Sequence, residues 1–530
     1  MSKVNLFLNM NFKKVFIYFS FYTIFYQFLR LLYIIKYLCT MKNILLLLLP
    51  ILILSSCKKD QLLTDSGAKL DFSTDSVLFD TVFTQVGSTT KLFRIYNNHT
   101  QPMNISNIHL AGGSSSQFRL NVDGVNGTSI KDVEILGGDS LYAFVQVTVN
   151  PNEPGAHVIL EDEVIFETNG NVQSVYLTAI GRNVYLHKPD HFPLNGLPPY
   201  SIICNNSKDA VWKSDKPHLI FGFAVVDSAC TLTMTPGTQV YFHKNAVLWV
   251  YAYGSLKVMG SHDERITFEG DRLEPEYKEI PGQWGYIWLM NGSINNKIDW
   301  AIIKNGAIGL KVGDNTDYPH RPSLTLTNTI IKNQKAAAIY ALDAHIYSYN
   351  CVFANCGQYV AALTFGGAYN FQQCTFANYW DHNTNNGTGS ATTTARTNPS
   401  VVLTNSYTDA TGNTTLADLD TANFINSIIS GDIDEELAFD NNTALPTNFN
   451  FMFDHCLLKT TLSTGSASHY SNILQNTNPS FKDENNNDYN LNTTSLAKDS
   501  GNSLFYISKD LNDKFRNFGA PDLGAYEIQQ

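Results

Sequence analysis

Between Asn328 and Asn378 a short pattern repeats: a polar residue, a small residue, then a mostly apolar, β-favouring pair. It reads Asn328-Thr329-Ile330-Ile331, Asn350-Cys351-Val352-Phe353 and Gln373-Cys374-Thr375-Phe376, at spacings of 22 and 23. An asparagine follows each copy at one offset: Asn333, Asn355 and Asn378. A period in this range, made of short strand-like pieces, predicts a β-solenoid. Ala301-Ile302-Ile303-Lys304-Asn305 extends it upstream, 28 residues before Thr329-Ile330-Ile331-Lys332-Asn333. Asn405-Ser406-Tyr407, Asn426-Ser427-Ile428-Ile429 and His455-Cys456-Leu457-Leu458 extend it downstream, with the longer spacings read as loops inserted at a corner. One coil cannot bury its apolar face alone, so stacked coils close the core. Cys351, Cys374 and Cys456 share a coil position and are expected to stack as small buried residues. Asn333, Asn355 and Asn378 fall where the chain must turn, and a stacked asparagine ladder is expected there.

The first half is patterned differently. Val77 to Phe83, Lys91 to Asn97, Met103 to Leu110, Gln117 to Val122, Leu141 to Val149, Asp162 to Phe166 and Val172 to Gly181 read as strands. Asn97-Asn98, Gly112-Gly113 and Pro151-Asn152 supply turns between them. Some seven to nine short strands predict an immunoglobulin-like β-sandwich over 68–185, without the Cys…Trp…Cys of antibody domains. The β-helix is expected over 186–530, after a linker from Pro189 to Pro199. The whole is all-β.

Residues 1–56 hold six cations (Lys3, Lys13, Lys14, Arg30, Lys36, Lys42) and no acid. From Met41, a lysine, the apolar run Ile44 to Leu54 and Leu54-Ser55-Ser56-Cys57 make a secretory signal. Translation is expected to start at Met41, the first forty residues being encoded by upstream sequence; the other reading makes Val15 to Cys39 a membrane span. Setting the six cations aside leaves 30 basic against 47 acidic residues, a net charge of −17. That disfavours nucleic acid and anionic membrane surfaces as partners. Besides Cys57 the mature chain has Cys204, Cys230, Cys351, Cys356, Cys374 and Cys456, without CxxC or zinc spacing. An exported chain permits a Cys204–Cys230 bridge; Cys351–Cys356 is the lesser alternative.

Several stretches resemble known families. Leu54-Ser55-Ser56-Cys57 resembles a bacterial lipobox, which implies cleavage before Cys57, acylation there and a lipid-anchored tether over 57–67. Phe79-Asp80-Thr81-Val82, Ile95-Tyr96-Asn97 and Leu177-Thr178-Ala179-Ile180-Gly181 resemble the Ig-like modules in front of larger domains in Bacteroidetes-type surface lipoproteins. Leu232 to Phe242, with Gly254 to Gly260, resembles the opening coils of right-handed parallel β-helices. At the end, Asn478-Pro479-Ser480-Phe481, Ser495 to Gly501, Asp510, Arg516 and Pro521-Asp522-Leu523-Gly524-Ala525-Tyr526-Glu527 resemble the closing segment of the pectate-lyase-like superfamily. Leu496 stands where that family has proline, and Asp513 where it has glycine. This last resemblance implies fold and export, and the lipoprotein resemblance an outer-membrane address, but the superfold carries lyases, hydrolases, epimerases and non-catalytic adhesins alike.

Candidate chemistry is sparse. A lyase of this fold needs a Lys or Arg base and commonly calcium; a hydrolase needs two carboxylates across the bond. Asp432-Ile433-Asp434-Glu435-Glu436 and Asp483 to Asp488 are the acidic clusters, read as solvated turns before calcium sites; no other cofactor or metal is expected. The insertion between Asn378 and Asn405 carries Tyr379, Trp380, Asp381, His382 and Arg396. Tyr379 and Trp380 are candidates to stack on a sugar, and Asp381, His382 and Arg396 to handle protons. The alternative is a surface flap with Trp380 tucked on the barrel. His320-Arg321, His345 and His455 are further titratable residues, and Trp284, Tyr286, Trp288 and Trp300 a further aromatic cluster. Two functions stay open: a surface lipoprotein that binds or presents a polysaccharide or protein partner, and a polysaccharide-acting enzyme, lyase before hydrolase.

Overall fold

The computed structural model describes residues 61–150, 157–194, 196–206, 208–315, 320–380, 396–409 and 411–529, with five helical positions between 27 and 36. Met41, Cys57 and most of Val15 to Cys39 lie outside the described residues, among which no helix is long and apolar enough to cross a membrane.

The N-terminal strands form two five-stranded sheets packed face to face. Alternation sets the packing: Phe93 and Ile95 are fully buried, while their neighbours Leu92 and Arg94 point to the outer face. Pairing is antiparallel except that Ser76–Phe83 runs parallel to Asn171–Arg182. The chain docks earlier than the expected tether allows, because the Leu63 N–H already donates to Pro102 O at 2.8 Å. Asn171 Nδ2 donates to Ser66 O at the same pole. The opposite pole meets the β-helix, where the Phe83 ring packs on Tyr241 and Arg182 donates to the Tyr241 hydroxyl at 3.1 Å.

From Tyr185 the chain winds through three parallel sheets of 11, 9 and 10 strands, here called sheets 1, 2 and 3 in chain order. One continuous apolar column fills the interior, from Trp212 through Phe268, Phe353 and Phe424 to Phe453. The repeat seen in sequence marks the corner between sheets 3 and 1. A single residue there is left-handed: Asn328 (φ +50°), Asn350 (+52°), Gln373 (+49°), Asn426 (+52°) and His455 (+48°). Asparagine tolerates this backbone best among residues with a Cβ. The next residue, Thr329, Cys351, Cys374, Ser427 or Cys456, is fully buried. Each donates back to the carbonyl two residues before it, at 2.7, 3.3, 3.5, 2.9 and 3.5 Å. The cysteines therefore stack as small core residues, and burial pushes the Cys456 thiol up to about 12.

Three expectations need correction. The ladder is shorter than expected: Asn333 Nδ2 donates to Asn305 Oδ1 at 2.6 Å, but Asn355 pairs with Asn487. Asn378 turns inward, bonding both the N–H and the C=O of Cys356 at 3.0 Å. Asn405 does not belong to the repeat at all. It follows the sheet 2 strand Val401–Thr404, and its amide bonds Asn442 O and Thr447 Oγ1 across the next corner. Its place in the corner column is taken by Asn426, which pairs its coil directly with that of Gln373.

The segment after Asn476 runs back over the outer face of sheet 1 as a strap. Phe481, Tyr489, Leu491, Leu511, Leu523 and Ala525 cover Val352, Ala354, Ala377, Ile428 and Leu457. The corner amides hold it: Asn350 Nδ2 donates to Lys509 O at 2.6 Å, Gln373 Oε1 accepts from Ile507 N–H, and Asn426 exchanges two bonds with Asn502. Arg516 is buried and bonds Asn350 Oδ1, Gly524 O and Glu527 Oε2. Asp510 and Asp522 accept backbone N–H groups around it. The closing motif is thus a structural clamp. Asp513 is left-handed (φ +59°), and its carboxylate holds Lys509.

Aromatic–imidazole stacks plug both ends of the core. At the first, Trp212 lies 4.1 Å from His218 and 4.7 Å from His187, and His187 Nε2 meets His218 Nδ1 at 3.0 Å. At the last, Phe451 stacks on His469 at 4.1 Å.

Replacing Asn350 by glycine keeps the left-handed backbone and removes both strap bonds; about 1–3 kcal/mol of unfolding free energy is expected to be lost, measured by denaturant titration against Asn350→Ala, which adds backbone strain. A second expectation concerns pH. Burial lowers His187 to about 4 and His218 to about 3, the neighbouring imidazole adding to the latter and Asp215 opposing it. Both are neutral in the fold but protonate near 6.5 when unfolded, so their contribution is complete above pH 6.5 and is lost as pH falls towards 4. Each costs at most about 1.4 kcal/mol per pH unit in that window. Thermal melts from pH 7 to 4.5 should fall less steeply for His218→Phe than for the wild type.

Candidate functional site

The insertion that sequence singles out does not assemble a catalytic group among its described residues. Asp381 and His382 lie outside them. The Tyr379 ring packs between Phe481 and Tyr489 of the strap, its hydroxyl 3.1 Å from Ser430 Oγ, and burial pushes it up to about 12. The ring is thereby packed into the strap. Trp380 lies over Gly357, where an added Cβ would come within 3.3 Å of the indole. This is the tucked arrangement of the alternative reading. Arg396 is 4% exposed and forms a bidentate pair with Glu436, at 2.6 and 2.9 Å, while donating to Asn378 O. Glu436 also accepts from Ser400 N, Ser400 Oγ and Ile433 N. The pair locks the base of the insertion onto the coil above it.

The acidic clusters are likewise occupied. Glu435 accepts from the hydroxyls of Thr460 and Thr461, both at 2.6 Å. Asp483 caps the turn at Asn486. Among the described residues no three metal-ligating side chains converge. Arg321 reaches from one coil to Asp343 at 2.6 Å and to Asp420 further along, with His345 beside it, a satisfied charge cluster at the corner between sheets 2 and 3.

The aromatic cluster separates into three places. Trp284 is core, stacked 4.2 Å from Phe242 with its N–H on Lys304 O. Trp300 occupies the left-handed corner (φ +53°) under the Arg265 guanidinium. Trp288 and Tyr286 belong to sheet 2, whose inward residues Leu248, Val250, Ile287, Leu289 and Leu310 line the core. Alternation places their neighbours outside. One outward row runs in register, one residue per coil: Val225, Trp249, Trp288, Lys311 and Tyr340.

The two indoles are stacked, 8° from parallel with centroids 4.9 Å apart. Lys311 Nζ lies 4.2 Å from the Trp288 centroid and 5.7 Å from that of Tyr286. Burial holds this ammonium below the usual lysine range and Tyr286 above the usual phenol range. Phe223 and Tyr251 flank Trp249 edge-on. The Nε1–H groups of Trp249 and Trp288 are both buried without a protein acceptor. Such orphan donors are rare and call for a partner. What the row offers at its surface is therefore ring edges and one cation, with the two indole donors closed off beneath. Sequence spacing concealed it: Trp249 and Trp288 are one coil apart in space but 39 residues apart in the chain, because the segment 271–283 is inserted between them.

No known family model matches the sequence, and no curated protein matches it. Solved structures match short stretches. A family 123 glycoside hydrolase from Clostridium perfringens is 7% identical over 22% of this chain and 30% of its own, with a TM-score of 0.17. The periplasmic chaperone SfaE is 12% identical over 22% of this chain and 58% of its own, TM-score 0.16. The PapD-like domain 7 of human CEP192 is 10% identical over 24% of this chain and 92% of its own, TM-score 0.15. The chain thus spans under a third of the glycosidase and somewhat over half of the chaperone.

Arg396→Met leaves the Glu436 carboxylate buried and unpaired, and a loss of about 3–5 kcal/mol is expected. The double variant Arg396→Met, Glu436→Leu should recover much of it in the same denaturant titration, as a structural pair requires.

Proposed function

We propose that this chain is a cell-envelope lipoprotein, anchored through Cys57 to the outer membrane, whose β-helix holds an acidic polysaccharide along sheet 2. The single observation behind the reading is the outward row Trp249, Trp288 and Lys311, stacked indoles that carry a part-buried ammonium with Asp314 near it. The facing sides of the indoles are spent on each other and Trp288 also on Lys311, which leaves little open face for a neutral sugar to stack on. The cation suits a carboxylate. Coils rise by the strand spacing of about 4.8 Å, so successive outward residues can follow an extended glycan.

The address rests on Lys42, the apolar run Ile44 to Leu54 and Leu54-Ser55-Ser56-Cys57. The Cys204–Cys230 disulfide, 26 residues apart in the first coils, fits an oxidising compartment. The sandwich acts as the spacer. Its tether enters at the pole of Ser66 and Pro102, and the β-helix meets the other pole at Phe83. The 12-residue strand between the poles spans about 40 Å.

A second reading has its own observation. A lysine below its usual range, beside a raised tyrosine, is the equipment of a proton-abstracting lyase, and Lys311 and Tyr286 would be its base and acid.

The test takes the chain from Lys58 through affinity electrophoresis in acidic and neutral polysaccharides, with and without calcium. Retardation by an acidic polymer is expected, and Trp288→Ala and Lys311→Ala should each weaken it by about tenfold, the size of one lost charge-assisted bond. Undiminished retardation in both variants overturns the row as the site. Unsaturated product that vanishes in Lys311→Ala selects the lyase. Separately, Cys57→Ser should leave the protein unacylated by radiolabelled palmitate and free of the membrane fraction.

A further inference from the structure

A cleft of about 490 Å³ lies between the helix-facing pole of the sandwich and the first coils of the β-helix. Junctions between domains are where small-molecule sites concentrate, and this volume is of ligand size. Val82, Phe83 and Val86 from the sandwich and Ile280 and Pro281 from the opposing loop make its apolar walls. Its charges are not evenly spent. Asp271 accepts from His243 Nδ1 at 2.7 Å, and the imidazole is held flat against Phe221 at 4.2 Å. Glu274 takes Arg272 Nε with both oxygens at 3.0 Å, and the guanidinium stacks on Tyr277 at 3.7 Å. Asp80 caps the N–H of Thr81 beside it. The remaining cations, Lys91 and Lys244, line the cleft, and among the described residues no ion pair engages either. Lys244 sits on left-handed backbone (φ +47°), a conformation that a lysine adopts at a cost. At the cleft Thr89 Oγ1 donates to Glu274 Oε1 at 3.4 Å, besides the bonds of Arg182 to Tyr241 and Gln239 that already join the two domains.

We propose that this cleft is a binding site for a small amphiphilic anion, a single carboxylate or phosphate on an apolar body. The walls take the body, and Lys91 and Lys244 take the head. Glu274 is engaged by Arg272 and Asp271 by His243, which leaves the Asp80 carboxylate, held by the Thr81 N–H, against the two ammonium groups of Lys91 and Lys244. Because both domains contribute, an occupant bridges them and fixes the angle between anchor-side spacer and β-helix. The site is separate from the sheet 2 row and stands or falls independently of it.

The experiment is isothermal titration of the chain from Lys58, which keeps every described strand, with decanoate, decyl phosphate and the uncharged decyl maltoside below their micelle concentrations. Saturable one-to-one binding of decanoate or decyl phosphate is expected, at least about tenfold tighter than the maltoside, as one charged contact gives. The two anionic arms identify the head group. The Lys91→Ala, Lys244→Ala double variant should weaken the anions by about tenfold or more and leave the maltoside unchanged. Val86→Trp, which fills the cleft, should abolish binding, with circular dichroism confirming the fold. Trp288→Ala should bind as the wild type does. No binding by either anion overturns the proposal, as does equal binding of the maltoside or unchanged binding by the lysine double variant.

Discussion

From Trp300 onward the β-helix turns from sheet 3 into sheet 1 within a single residue. That turn takes one left-handed position per coil, and asparagine supplies it four times, at Asn328, Asn350, Asn426 and Asn472, in the column that also holds Trp300, Gln373 and His455. The turn concentrates hydrogen bonding on one carbonyl, two residues before the small residue. Gln372 O accepts the corner N–H of Asn350 from the preceding coil and the thiol of Cys374 from its own; Ile425 O does the same for Gln373 and Ser427. A carbonyl has two lone pairs, and this corner uses both. At Thr329, Cys351, Cys374, Ser427 and Cys456 the residue after the turn is small enough for the core and carries a donor on its β-carbon, whereas Ala301 after Trp300 and Ile473 after Asn472 pass the same corner without one. The left-handed residue, for its part, aims its amide outwards, where Asn350, Gln373 and Asn426 hold the strap. One local constraint thus orders the core, the stacking and the covering of sheet 1.

This explains what sequence could show. The period, the small-residue position and the strap motif all follow from the corner, and the corner is local. Asn405 was misleading for the same reason: it is an asparagine before a serine, but it closes a different corner, and only the pairing of coils separates the two. The row on sheet 2 was illegible because it is defined by register. Trp249 meets Trp288 across an inserted segment, and Lys311 meets Trp288 one coil later, so no spacing rule joins them. Arg396 looked chemical because an arginine in a polar loop is usually solvated; Glu436, forty residues on, makes it structural. Trp284, Trp288 and Trp300 looked like one cluster although alternation and the corner send them to core, outer face and turn.

The fold then limits where function can sit. The sandwich covers one part of sheet 1 and the strap another, and stacked rings close the two ends of the core. Buried thiols such as Cys456 are held in the unreactive form. What stays open to partners includes the outer row of sheet 2, with its cation, and the cleft at the junction, lined by Lys91 and Lys244.

The most direct measurement of the corner account is the unfolding free energy of two triple variants at Cys351, Cys374 and Cys456, one all serine and one all alanine. If the small residue serves to donate to the corner carbonyl, the serine triple is the more stable, by about 1 kcal/mol per site. Simple burial predicts the reverse, because alanine is the better core residue of the two. An alanine triple as stable as the serine triple, or more so, contradicts the account.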